Sequence, residues 1–133
     1  MLLNSRARLG ALLLCLLPLA IGCGRADDLP ELGQVSGVVT MDGKPVAEAS
    51  VVFIPENGRP SNGMTDNDGR YTVYLKPGTA GAIIGTHRVR ISQFGEDGDT
   101  TERIPAAYNE QTTLTADVKP GENTFDFALK SKP

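Results

Sequence analysis

The sequence predicts an all-β protein, an antiparallel β-sandwich of about seven strands that follows an N-terminal signal peptide. Three observations carry that prediction. Past Gly33 the apolar residues recur with period two, Gly- and Pro-containing turn dipeptides separate the alternating runs, and no apolar stripe of helical period follows the leader.

The runs are read in order along the chain. In Val35–Met41 the odd positions share one face, and Ser36, Val38 and Thr40 share the other. Asp42-Gly43 then offers the positive φ of a tight turn. Ala49–Ile54 alternates next, with Phe53 and Val51 opposite Val52 and Ile54. A short strand at Gly63–Thr65 pairs with Tyr71–Leu75 across Asn67-Asp68-Gly69. His87–Ser92 sets Val89 and Ile91 against Arg88 and Arg90, while Thr113–Val118 and Thr124–Lys130 complete the set. Gly37 falls where strands pack too closely for a side chain, and Tyr71 falls in the core with its hydroxyl at the rim. The segments 55–63, 77–86 and 95–102 are rich in Gly, Pro or acids and read as loops. Short strands at this spacing, joined by such turns, are the pattern of a sandwich.

The first 22 residues are predicted to be a removable leader. Arg6 and Arg8 precede an apolar stretch from Leu9 to Gly22 that ends in small residues, the layout of a secretory signal peptide. A transmembrane helix needs roughly 20 apolar residues, and Pro18 interrupts this shorter stretch. The whole chain has 13 basic and 16 acidic residues; removing Arg6 and Arg8 leaves 11 against 16, a net charge of −5. A domain of that sign without a basic stripe is a poor partner for nucleic acid or for anionic lipid headgroups.

The two cysteines are Cys15 and Cys23. Cleavage before Cys23 removes Cys15, so the mature fold holds by packing and not by an internal disulfide. Ala20-Ile21-Gly22-Cys23 resembles a bacterial lipobox, with Ala20 where Leu is usual. That resemblance makes Cys23 the lipid attachment site and the new N-terminus, carrying a diacylglyceryl thioether and an acyl chain such as palmitate. Ordinary secretory cleavage is the competing reading, because Ala20 and Gly22 also suit a signal peptidase. Two or more acyl chains anchor stably where one holds marginally. Residues 23–33 are then the lipid-bearing Cys and a polar tether, whose ten residues after Cys23 reach at most ~35 Å, and residues 34–133 form the domain. The expected location is the bacterial cell envelope, with the domain in the periplasm or at the cell surface. Gly24 after Cys23 is compatible with the outer membrane under the enterobacterial sorting rule.

Catalytic and metal-binding constellations are scarce. His87 is the only histidine and lies in register with Val89 and Ile91, so it is expected to be structural, partly exposed at the strand end. One His without a free Cys assembles neither the usual zinc site nor a nucleophilic triad. The run at Asp66–Gly69 fails as an EF-hand loop, because Met64 and Leu75 would occupy the first and twelfth ligand positions. It reads as a hairpin turn, with Asp66 and Asp68 as weak calcium candidates outside the EF-hand pattern. No cofactor site is expected; the Gly-rich segment 77–86 lacks the Lys of a phosphate-binding loop.

The runs "GQVSGVVTMDGKPVAEASVVFIP", "GMTDNDGRYTV" and "GAIIGTHRVRIS" resemble a carboxypeptidase regulatory-like domain. The tail "IPAAYNEQTTLTADVKPGENTFDFALK" is similar to that of small exported bacterial lipoproteins built on it. The resemblance implies a transthyretin-like (prealbumin-like) seven-stranded sandwich and a non-catalytic role, since this domain is the appendage of the carboxypeptidases. Related hydrolases use several histidines and end in Tyr-Arg-Gly-Ser, and related intradiol dioxygenases need two His and two Tyr; here one His and the ending "LKSKP" fit neither. The expected function is a lipid-anchored structural or protein-binding module, reaching the membrane through Cys23 and contacting an envelope protein or glycan. Alternative readings are a carbohydrate- or calcium-dependent adhesion module and a transthyretin-like hydrolase. Activity would then ride on His87, Asp66, Asp68 or Tyr108.

Overall fold

The computed structural model describes residues 29–133, so the leader and Cys23 lie outside the described residues. The strands are β1 (Leu32–Met41), β2 (Lys44–Pro45), β3 (Ser50–Pro55), β4 (Ser61–Met64), β5 (Arg70–Thr72) and β6 (Tyr74–Lys76). They continue as β7 (Thr79–Ala80), β8 (Ala82–Ile83), β9 (Gly85–Ser92), β10 (Thr115–Val118), β11 (Gly121–Thr124) and β12 (Phe127–Leu129). One 3₁₀ turn, Ala106–Tyr108, interrupts them. Among the described residues no helix is long and apolar enough to cross a membrane.

Two sheets face each other, as a sandwich requires. The first is built on β1, which pairs with β2, β5 and β8 along one side and with β11 and β12 along the other. The second runs β10-β9-β3-β4-β6-β7. All pairs are antiparallel except those of β1 with β11 and β12. That exception follows from the connection through Lys119 and Pro120, which carries the chain from β10 in the second sheet to β11 in the first. An arch between sheets, unlike a hairpin, leaves the last strand free to run beside the first in the same direction.

Two expected strands are each broken once, and each break has a local cause. Tyr71–Leu75 divides at Val73, because the chain leaves β1 and joins β4; Val73 bridges the change by donating to Val35 O and accepting from Gly81 N. Thr124–Lys130 divides at Phe125-Asp126. There Phe125 N donates to Ser36 O at 2.9 Å, and the Asp126 carboxylate replaces a backbone acceptor for Val38 N at 2.9 Å. Strand β1 also starts at Leu32, two residues inside the segment expected to be tether. Residues 77–86, expected to be loop, contribute the short β7 and β8.

The core is the alternation made physical. Val35, Val39, Val51, Val89, Ile91 and Val118 are all essentially inaccessible. At the centre Phe53 meets the rings of His87, Phe125, Tyr71 and Phe127 at centroid distances of 5.8 to 6.4 Å, mostly tilted. Beneath it Gly37 has a specific reason to be glycine: a Cβ there would stand 1.9 Å from the Phe125 carbonyl oxygen. Buried polar side chains lock the connections. Thr65 Oγ1 accepts from Ala49 N at 2.8 Å, and Asn109 Nδ2 reaches the carbonyls of Ile91, Ile104 and Pro105.

Candidate functional site

The residues singled out for chemistry are put to structural use. His87 corrects the expectation that it would be partly exposed: it is 1% exposed, edge-on to Phe53. Its odd-numbered register points inward, and Pro55 and Ala116 flank it on the neighbouring strands. Nε2 lies 2.6 Å from the Ile83 carbonyl, which makes Nε2 the protonated nitrogen, and the buried Nδ1 has no hydrogen-bond partner. Tyr108 Oη accepts from Lys130 N at 3.0 Å, tying the 3₁₀ turn to the end of β12.

Asp66 folds its own turn. Its Oδ1 accepts from Asp68 N and Arg70 N, both at 2.9 Å, an arrangement that organises the turn from β4 to β5. The turn is not the expected hairpin, because β5 crosses to pair with β1 and only Tyr74 on β6 returns to pair with β4. Both Asp66 and Asp68 are exposed, and among the described residues no three His, Cys, Asp or Glu side chains gather as a metal site. His87 pairs with Pro55 at one end of β3, whereas Asp66 follows Met64, which pairs with Ser50 at the other end. Five residues of strand separate those ends, about 17 Å. The structure therefore does not bring His87 and the Asp66 turn together.

Tyr71 is in the core, but its hydroxyl is not a free group at the rim. It donates to Phe125 O at 2.5 Å, beside Gly37. Burial first, and the nearby Asp126 carboxylate second, hold the phenol well above its ordinary titration range. The acidic loop 95–102 is similarly tied at its base. Glu102 Oε1 accepts from Gln93 N at 2.7 Å and Ile104 N at 3.0 Å, while Arg103 N donates to Gln93 O. Within it the Asp99 carboxyl is held below its usual range, chiefly by hydrogen bonds from Thr101 and then by Arg103 at 3.8 Å.

What remains unengaged is the outer face of the second sheet. On β9 the even positions Thr86, Arg88, Arg90 and Ser92 point away from the core, while His87, Val89 and Ile91 are buried. Cross-strand register sets Val52 beside Arg90 and Asn62 beside Val52, with Tyr74 opposite Asn62. The adjacent row is Ile54, Arg88 and Thr115. Columns of aliphatic, cationic and hydroxyl side chains thus run side by side across the sheet. One open groove lies on this face, and a second runs from it across to β5 of the first sheet. The first, of about 530 Å³, is bordered by Ile54, Glu56, Thr86, Arg88, Thr113 and Thr115. The other, about 630 Å³, is bordered by Asn62, Met64, Asp66, Arg70 and Tyr74. Sequence reasoning passed over this surface. Its signal was the pair of arginines at alternate positions on the polar side of a strand, in an acidic chain.

No family model matches this chain, and no curated protein matches it. Among solved structures it is similar to a DUF3823 family protein from Parabacteroides merdae, at 13% identity and a TM-score of 0.44, over 75% of this chain and 46% of that one. It is also similar to a 9R-lipoxygenase from Cyanothece, at 23% identity and a TM-score of 0.33, over 75% of this chain and 16% of the enzyme. The chain spans less than half the length of either.

Proposed function

We propose that this protein is a non-catalytic β-sandwich module, anchored by lipid at Cys23 in the bacterial cell envelope, that works by holding a binding surface close to its membrane. The observation that carries the reading is the use made of the reactive side chains. His87 is packed in the core, the Tyr71 and Tyr108 hydroxyls bind backbone, and Asp66 organises a turn. A hydrolase would need such groups converging on one accessible point. The resemblance to carboxypeptidase regulatory-like domains supports the same reading, because that domain is an appendage there. The lipobox-like Ala20-Ile21-Gly22-Cys23 supports the anchor.

Intact-mass analysis of the protein purified from native membranes tests the proposal. The expected product begins at Cys23 and carries a diacylglyceryl thioether, labelled palmitate is incorporated, and Cys23→Ser releases the protein from the membrane. A free Cys23 thiol, or a mature chain beginning at Asp27, overturns the anchor.

A further inference from the structure

We propose that the outer face of the second sheet, centred on Arg88 and Arg90, binds an extended acidic segment of a partner protein with carboxylates on alternate residues. The inference rests on the reading of this chain as a binding module and supplies the chemistry of what it binds.

Charge complementarity carries the argument. The chain is acidic overall, yet these two arginines stand together with no carboxylate ion pair among the described residues. No acid among the described residues stands within ion-pair distance of either. Asp117, opposite Thr86, is paired with Lys119 at 3.5 Å, and Glu56 lies at the border of the Arg88 groove. Two unpaired guanidinium groups on an otherwise acidic body are a site for carboxylates, which guanidinium binds in bidentate fashion.

Spacing gives the shape of the ligand. Side chains at alternate strand positions stand about 6.7 Å apart, and an extended peptide laid along β9 presents its own alternate side chains at the same interval. Thr86 and Thr115 flank Arg88 with hydroxyls that donate to a bound carboxylate. Val52 and Ile54, one strand over at about 4.8 Å, offer apolar contact to the methylenes and backbone of the same segment.

Exposed apolar side chains mark the same surface. Of the four large hydrophobics that are well exposed among the described residues, Met64 (62%) and Tyr74 (45%) lie on this face, and Phe94 (54%) emerges just past the end of β9. Side chains of this kind are enriched in the centres of protein interfaces. A glycan would ask for more stacking rings than Tyr74 and the more distant Phe94 supply, and an anionic membrane would repel the net negative body.

The test is fluorescence anisotropy of the full chain in neutral detergent with three labelled octapeptides, alternating Glu-Thr, Gln-Thr and Lys-Thr. The Glu-Thr peptide is expected to bind about tenfold more tightly than Gln-Thr, with the advantage shrinking as salt is raised. Arg88→Gln and Arg90→Gln each weaken Glu-Thr binding about threefold, and reversing both (Arg88→Glu with Arg90→Glu) transfers the preference to Lys-Thr. Equal binding of the Glu-Thr and Gln-Thr peptides, or an unchanged preference after charge reversal, overturns the proposal. So does arginine-dependent capture of phosphatidylglycerol vesicles or polygalacturonate without capture of Glu-Thr, which would give the face to lipid or glycan. Melting temperatures within a degree or so of wild type show that the variants remain folded. If Cys23→Ser leaves membrane attachment intact while peptide binding holds, the anchoring proposal falls and this one stands. A lipidated protein that ignores the peptides gives the reverse.

Discussion

Strand β1, on which the first sheet is built, and β9, second from the edge of the other sheet, obey the same alternation but are surrounded differently. Strand β1 is engaged along both edges and packed on its inner face, while Gln34 and Ser36 are exposed on its outer one. Its neighbours come so close that a Cβ on Gly37 would collide with the Phe125 carbonyl, and one on Gly69 would stand 2.4 Å from Val39 O. Even the gap between its two parallel neighbours is closed, because Asp126 reaches across to Val38 N. Strand β9 has an inner face just as tightly packed, through His87, Val89 and Ile91, and its outer face carries Arg88, exposed, and Arg90, half-buried, neither ion-paired among the described residues. The difference separates scaffold from surface: the first sheet fixes the geometry, and the second presents side chains to whatever arrives.

The largest effect is expected where the two sheets meet. Phe53→Ala removes the ring at the centre of the aromatic cluster and leaves a cavity that β-sheet backbones on both sides cannot close. Destabilisation of about 3–5 kcal/mol is expected in urea unfolding. A loss below about 1 kcal/mol would mean that the interior collapses easily, and the contrast between a rigid inside and an unengaged outside would fail.

Gly37→Ala attacks the scaffold strand alone. The obstruction is backbone, not the end of a flexible side chain, so β1 must shift away from Phe125 and strain the pairing with β11 and β12. Overpacking of this severity is expected to cost about 3 kcal/mol. A neutral substitution would show that β1 tolerates displacement, and the distinction from β9 would lose its basis.

Much of this was legible in the sequence because alternation reports which side of a strand is wet. Val51, Phe53, Val89 and Ile91 are all buried as their period-two pattern requires, and Gly37 sits where close packing was expected. The parallel return of β11 beside β1 was not legible, since strand pattern carries no direction and the arch at Lys119-Pro120 looks like any turn. His87 was misplaced at the rim because its strand begins two residues earlier, at Gly85, which carries it under β8 and the Ile83 carbonyl. The outer face of the second sheet was overlooked for a related reason. A polar side chain on the wet side of a strand looks ordinary until the cross-strand register shows that Arg88 and Arg90 stand together without acids between them.

Tyr71 gives a smaller effect and one that depends on pH. Tyr71→Phe takes the donor from Phe125 O at the point where Gly37 makes its close approach, a loss of about 1–2 kcal/mol at neutral pH. Burial raises the folded-state pKa of the phenol above its ordinary value of 10.0. The native state therefore keeps a proton that the unfolded chain releases above that value. The stability tied to the neutral phenol is complete below about pH 10 and declines as pH rises beyond it. Urea midpoints at neutral and alkaline pH should show wild type losing more stability than Tyr71→Phe. Parallel losses would place the phenol in contact with water and refute the burial.

The smallest expected effect is the sharpest test of the contrast. Arg88→Gln and Arg90→Gln remove charges that make no ion pair among the described residues, from a face where Arg88 is exposed and Arg90 half-buried. Their stabilities should stay within about 0.5 kcal/mol of wild type, singly and together. Two guanidinium groups about 6.7 Å apart on one strand repel each other modestly, so a slight stabilisation of the double variant is the favoured direction. A clear destabilisation would mean that the arginine stems are packed against Val52 and Ile54 as part of the fold. In that case β9 is engaged on both faces, and the outer surface of the second sheet loses its claim to be kept for a partner.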